Sequence, residues 1–322
     1  MNKVIYFLLF IAVVLMLLLA VYFLFVSSAT PQDAPGTPAP PTPISQENSP
    51  PTLVPTATET NIALIQAPEA NTQATSTPMS EQPTVATSTP TPLTLSEMVL
   101  IPAGDFIQGS DSGDPKDGPS RIVALPAYEI DKYEVTNQDF ALFVATTGYA
   151  TNAEQSSSGQ SWRQYGDGKP THPVVKVTWN DAVAFCAWAG KRLPTEAEWE
   201  KAARGTDGIA YPWGNNFEAR FANVKDGGLR RTTSVGDYPE GASSYGVLDM
   251  GGNVWEWTDS WFLPYPNNSE PNPYFGEQFR VTRGGGWFEE ADQVTTFNRN
   301  AADPNITAND DVGFRCARDV TP

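Results

Sequence analysis

Soft metal ligands are scarce in this chain: its 322 residues include two cysteines, Cys186 and Cys316, and one histidine, His172. Two widely spaced cysteines are too few for a cysteine-rich zinc site. In an oxidising compartment they can pair, and elsewhere they stay buried free thiols; the residues alone leave both readings open. His172 sits beside a proline in a strand lead-in and reads as structural, which removes histidine-based iron or zinc chemistry. Hard oxygen donors are abundant instead. Asp249 and Glu256 bracket a glycine-rich turn, Glu289 and Glu290 follow a Gly-Gly-Gly-Trp-Phe run, and Asp311 closes an Asn/Asp-rich loop. A carboxyl whose pKa is raised in a closed pocket serves as an acid, a base or a hard-metal ligand, so Glu289, Glu290 and Asp311 are the candidates for such work. In a solvated loop they are ordinary surface acids.

Thr295 to Asp311 is polar and rich in Asn and Asp, residues that hydrogen-bond adaptably and tolerate tight turns. With Trp255, Trp287, Phe288 and Phe297 nearby in sequence, it can wall a polar groove with an aromatic floor. The plainer alternative is a solvated loop over a core of tryptophans.

The elements that must hold these groups are read from local chemistry. Met98 to Phe106 reads as a strand, a turn and a second strand, and Tyr128 to Val135 as another strand. Three helix starts carry capping chemistry: Thr136 with Asp139, Thr178 with Asp181, and Thr195 with Glu198. In each, the threonine hydroxyl accepts from a free amide of the first turn while the acid complements the positive helix end. Gly190 and Gly205 end the second and third helices by permitting a left-handed cap. Beyond Gly205 the chain is Gly-, Asn-, Asp- and Trp-rich, with short strands expected at Asn253 to Thr258, Arg280 to Trp287 and Val312 to Ala317.

Composition divides the chain into three parts: residues 1–28, 29–97 and 98–322. Val4 to Val26 is an uncharged apolar run, long enough to span a bilayer. Lys3 precedes it and no base follows for many residues, so the N-terminus is expected in the cytoplasm and the remainder outside. An uncleaved anchor is favoured over a signal peptide cut near Ser27-Ser28-Ala29, and both export the domain. Residues 29–97 repeat Thr-Pro steps and bury too little apolar surface to offset chain entropy, which makes a stalk of semi-stiff, disordered chain. Of the 37 acids, six lie in this stalk; Lys3 is the one base ahead of the domain, leaving 31 acids and 19 bases, a net of −12. Such a surface repels phosphate backbones and excludes nucleic acid as a natural partner.

Seven stretches, in order, resemble the formylglycine-generating-enzyme, or sulfatase-modifying-factor, family. They are Val99 to Gly104, His172 to Val175, Gly190 to Glu200, Tyr211 to Gly214, Gly252 to Trp257, Arg283 to Gly285 and Gly313 to Cys316. The resemblance covers about residues 98 to 318. It implies an α+β class: the family's loop-rich variant of the C-type lectin fold, here behind a transmembrane helix and a disordered linker.

The resemblance also implies a disulfide between Cys186 and Cys316, and structural calcium. Asp249 and Glu256 would supply side-chain oxygens to one ion, with carbonyls from Gly252 and Val254; calcium takes six to eight such hard donors. A second site begins at Asn223 and the Val224 carbonyl. Copper is not expected. The family's oxidase chemistry, which acts on a Cys-x-Pro-x-Arg peptide, needs two cysteines that hold Cu(I) through soft thiolates. Their positions fall at Glu289 and near Val294, and no cysteine lies between Trp287 and Arg315. Other relatives are variable surface proteins that diversify the last loops before Gly-Phe-Arg. The expectation is therefore a membrane-anchored, single-pass protein with an extracytoplasmic domain that binds a peptide, glycan or protein, the alternative being a non-copper enzyme with Glu289, Asp311 and Trp255 in its pocket.

Overall fold

The computed structural model describes residues 95–156, 160–306 and 310–320. The chain divides into two compact units at Thr84/Val85, and everything described lies in the second. The apolar run and most of the stalk fall outside the described residues. Among those described, no helix is long and apolar enough to cross a membrane.

Strand β1 (Met98–Ile101) leads through a two-residue turn into β2 (Gly104–Gln108), followed by β3 (Arg121–Leu125) and β4 (Tyr128–Asp131). The β2–β3 pair is a separate antiparallel ribbon, while β4 lies between β1 and the last strand, β9 (Ala317–Asp319). The strand expected to reach Val135 ends at Asp131. Beyond it the backbone turns to pair elsewhere, the Val135 amide donating to the Phe314 carbonyl at 2.9 Å.

The helices start where the threonines put them. Helix α1 (Asn137–Thr147) is capped by Thr136, whose hydroxyl accepts from the Asp139 amide at 3.2 Å. Two short helices that carried no strong sequence signal follow, α2 (Asn152–Gln155) and α3 (Trp162–Gly166). Helices α4 (Trp179–Trp188) and α5 (Glu196–Arg204) each open with a full capping box, from Thr178 with Asp181 and Thr195 with Glu198. Past α4, Gly190 takes a left-handed φ of 70°.

The central sheet has the order β7-β6-β5-β8, built from β5 (Trp255–Trp261), β6 (Arg280–Arg283), β7 (Asn300–Ala302) and β8 (Val312–Gly313). β5 pairs antiparallel to β6 and parallel to β8. β6 stops at Arg283, well short of Trp287, because Gly284 and Gly285 swing to φ values of 95° and 75° and leave extended geometry.

One apolar cluster gathers Phe140, Phe143, Phe185, Trp257 and Phe314 around the Cys186–Cys316 disulfide, whose Cα atoms lie 5.7 Å apart. Closing a ring with 130 residues of separation stabilises the fold by about 5 kcal/mol in the chain-entropy limit. A second interior is charged. Glu200 on α5 meets Arg283 on β6 at 2.5 Å and Arg204 at 2.7 Å, and Glu196 meets Arg299 at 2.5 Å. The Tyr265 hydroxyl donates to Glu196 at 3.0 Å. Every one of these groups is buried, and every carboxylate has a guanidinium partner, as buried charge requires.

Candidate functional site

Trp255 opens β5, and its indole Nε1 donates to Glu289 Oε1 at 3.2 Å. Its backbone amide donates to the Asp311 carbonyl at 2.7 Å, at the parallel step onto β8. Trp255, Glu289 and Asp311 are thus brought together. Glu289 rides the loop after β6. Within that loop Gly286 packs closely on Asp311: a Cβ there would lie 3.1 Å from Asp311 Cβ and 3.3 Å from its Oδ2, so the aspartate would have to shift by a few tenths of an ångström.

Burial pushes the Asp311 carboxyl up to about 6, with the neighbouring Asp310 and Glu289 charges adding to it and Lys176 opposing. Lys176 is itself buried at a left-handed φ of 61°, its ammonium 4.8 Å from the Tyr165 ring. Beside these residues lies a cavity of about 110 Å³ whose wall includes Tyr165, Trp287 and Asp310. A carboxyl that titrates near neutrality next to a second carboxylate can take up or release a proton, and the cavity gives a small polar group room to approach.

The expected aromatic floor is divided. Trp287 lines this cavity and Phe288 is exposed, but Phe297 faces a different polar cavity of about 450 Å³ with Tyr211 and Asn298. The segment from Thr295 is not a solvated loop at its start: Thr295, Thr296, Asn298 and Arg299 are buried, and Arg299 belongs to the charged interior. Glu290 is apart from the site, exposed and paired with Lys225 at 2.5 Å.

The two positions where the resemblance puts copper-binding cysteines have clear fates. Glu289 hydrogen-bonds Trp255, and Val294 is fully buried with Tyr211, Ala222 and Val224 in an apolar cluster. No thiol is free, since Cys186 and Cys316 are bonded to each other.

The calcium loops fit the ion unequally. Glu256 is committed: Oε2 accepts from Arg315 Nε at 2.6 Å and Trp199 Nε1 at 2.8 Å, and Oε1 accepts from Arg315 Nη2 at 2.7 Å. Asp249 is buried at φ 58°, accepts from the Gly236 amide at 2.7 Å, and is pushed up to about 6 by burial. Among the described residues no three His, Cys, Asp or Glu side chains form a metal-holding group. Gly252 lies against the other loop; a Cβ there would stand 2.5 Å from the Asn223 carbonyl oxygen. Asn223 fits a cation better. Its Oδ1 is buried without a hydrogen-bond partner, while Nδ2 donates to the Arg231 carbonyl and to Asn253 Oδ1. The Val224 carbonyl accepts from Gly227 at 3.0 Å and keeps a second lone pair.

Two residues given no role by the sequence reading, Glu134 and Asn253, organise this region. Glu134 precedes a helix cap in a stretch that reads as strand, yet it is fully buried and accepts from Asn253 Nδ2 at 2.6 Å and the Val254 amide at 3.3 Å. Burial pushes Glu134 well above the ordinary carboxylate value, and Asp249 and Glu256 push the same way. Asn253, at φ 63°, links Glu134 to Asn223 and to the Thr233 amide. A left-handed asparagine in a Gly-Gly-Asn turn is a signal that sequence reading can find.

The architecture defines a mixed helix-and-strand domain, loop-rich and closed by one long-range disulfide, with its pocket lined by oxygen donors instead of sulfur. The chain belongs to the Sulfatase-modifying factor enzyme 1-like domain family, which it matches over residues 82–320. It is 34% identical to the formylglycine-generating enzyme of Mus musculus over 299 residues, covering 73% of this chain and 78% of that one. It is 37% identical to the inactive C-alpha-formylglycine-generating enzyme 2 of the same species over 275 residues, covering 68% and 85%. Among solved structures it resembles PvdO from Pseudomonas aeruginosa, at 28% identity and a TM-score of 0.56 over 70% of this chain and 95% of that one. Treponema denticola variable protein 1 is similar at 26% identity, a TM-score of 0.55, and 69% and 95% coverage.

Proposed function

We propose that this chain is a membrane-tethered, extracytoplasmic ligand-binding module of the sulfatase-modifying-factor family, without copper oxidase chemistry. One observation carries the reading: the only two thiols are spent on a core disulfide, and a carboxylate hydrogen-bonded to Trp255 stands where the first copper ligand is expected. Copper(I) selects soft sulfur donors, and carboxylates do not replace them. The relative whose name calls it inactive, at 37% identity, supports the same direction. The uncharged run Val4 to Val26 supports a single-pass anchor in the cell membrane with the domain outside, and the fold variant proposed is that of the C-type lectins. The ligand is a peptide, a glycan or a partner protein at the face formed by Trp287, Glu289 and Asp311. Calcium, where bound, is held by Asn223 Oδ1 and the Val224 carbonyl and acts as a structural staple.

Two measurements test this. Incubation with a Cys-x-Pro-x-Arg peptide and Cu(I) leaves the peptide cysteine unchanged by mass spectrometry; conversion to an aldehyde overturns the reading. Thermal-shift panels of peptides and glycans give at least one stabilising ligand.

The Asp311 carboxyl near 6, beside Glu289, favours one second reading, a hydrolytic or proton-transfer enzyme on the same face. In that case Asp311→Asn abolishes a turnover that the wild-type protein shows.

A further inference from the structure

The domain has 19 basic side chains, and almost all are spoken for by carboxylates, carbonyls, amides or aromatic rings. Lys169, Arg230 and Arg231 stand apart, with neither an ion pair nor a side-chain hydrogen bond among the described residues. All three line the same cavity, the one of about 110 Å³ that also touches Tyr165, Trp287 and Asp310. In a domain of net charge −12, three unpartnered cations on one cavity are not explained by surplus bases. His172 beside them feels the result: burial lowers its pKa, Lys169 and Arg231 lower it further, and Asp237 opposes them.

The loop that presents the arginines is held in advance of any ligand. Arg230 takes a left-handed φ of 51°, a conformation disfavoured for a long side chain. On one side the Arg231 carbonyl accepts from Asn223 Nδ2 at 2.9 Å. On the other, the Thr233 amide donates to Asn253 Oδ1 at 3.0 Å and the Val235 amide to the Thr171 carbonyl at 3.0 Å. The backbone of the loop is thus fixed while both arginine side chains are exposed, and the planar fork of a guanidinium matches a carboxylate.

We propose that this cavity binds the carboxylate side chain of an acidic peptide segment from a partner protein. The inference rests on the binding-module reading and names its ligand class. At about 110 Å³ the cavity has room for a carboxylate and one or two methylenes. Tyr165 and Trp287 give those methylenes apolar contact. Among the lining residues Asp310 offsets one of the three positive charges; just outside the lining, Glu289 and Asp311 oppose an incoming acid and Lys176 favours it. A long polyanionic glycan is disfavoured, because it drags many charges across a negative surface, whereas one acidic side chain meets only the local field within a screening length of about 8 Å.

The test is calorimetry on the full-length protein in detergent. The probes are an acetylated, amidated Gly-Ser-Glu-Glu-Ser-Gly peptide, its Gln-Gln counterpart and a sulfated tetrasaccharide. The glutamate peptide binds, the glutamine peptide binds at least about tenfold more weakly, and Arg231→Gln and Lys169→Gln each weaken the glutamate peptide by about tenfold. Equal binding of both peptides, preference for the tetrasaccharide, or unchanged affinity in both variants overturns the inference. If a neutral ligand binds while the glutamate peptide does not, this inference fails and the binding-module reading survives; if nothing binds across the panels, both fail.

Discussion

The charged interior around α5 and the acidic face at Glu289 and Asp311 use the same residue types and reach opposite electrostatic states. In the interior, burial alone would raise Glu196, but Arg299 and Arg283 outweigh it and hold the carboxyl below its usual value. On the face, burial and two neighbouring acids raise Asp311 to about 6, and Lys176 offsets only part of that. The difference lies in the supply of guanidinium groups. Two arginines, Arg283 and Arg299, cross-link α5 to the chain beyond β5, whereas Arg230 and Arg231 line the cavity beside the acidic face and form no ion pair among the described residues. Matched charge builds the scaffold, and unmatched charge of both signs collects where a ligand can approach.

The comparison breaks if the interior tolerates an unpaired charge. Glu200→Ala leaves Arg283 buried without its carboxylate and costs about 3–5 kcal/mol in urea unfolding, and a loss below about 1 kcal/mol would refute the scaffold role. Removing the disulfide by Cys186→Ser with Cys316→Ser costs about 2–5 kcal/mol by the same measurement. The acidic face moves the other way: Asp311→Asn stabilises the domain at pH 7 by about 1–3 kcal/mol. Its folded pKa of about 6 lies above the ordinary 3.8, so the folded state binds more proton between those values and stability falls as pH rises through them. Calorimetric melting from pH 4 to 7, flattened in the variant, checks the sign. The smallest effect is at a cap: Thr178→Ala costs about 1 kcal/mol and alters neither region's titration.

Much of the scaffold could be read from short-range chemistry. Thr136, Thr178 and Thr195 each sit three residues before an acid, and that spacing fixes a helix start without reference to the rest of the chain. The convergence of Trp255, Glu289 and Asp311 came from family order, because nothing local ties residues on three separate segments. Helices α2 and α3 escaped notice since four or five residues carry too little periodicity. The Glu200–Arg283 and Glu196–Arg299 pairs span 83 and 103 positions, and Glu134 meets Asn253 across 119. A carboxylate's partner at such distances is set by the sheet that brings the segments together, and the pattern of charges along the chain does not record it.

The bond from Cys186 to Cys316 has a consequence for how the outer face tolerates damage and change. The Arg230–Arg231 loop, the Glu289 segment and Asp311 all lie inside the ring it closes. A protease that nicks any of these loops yields two pieces that stay covalently joined and cannot drift apart. The recognition surface can thus be clipped, lengthened or rewritten while the ring keeps its two ends in register.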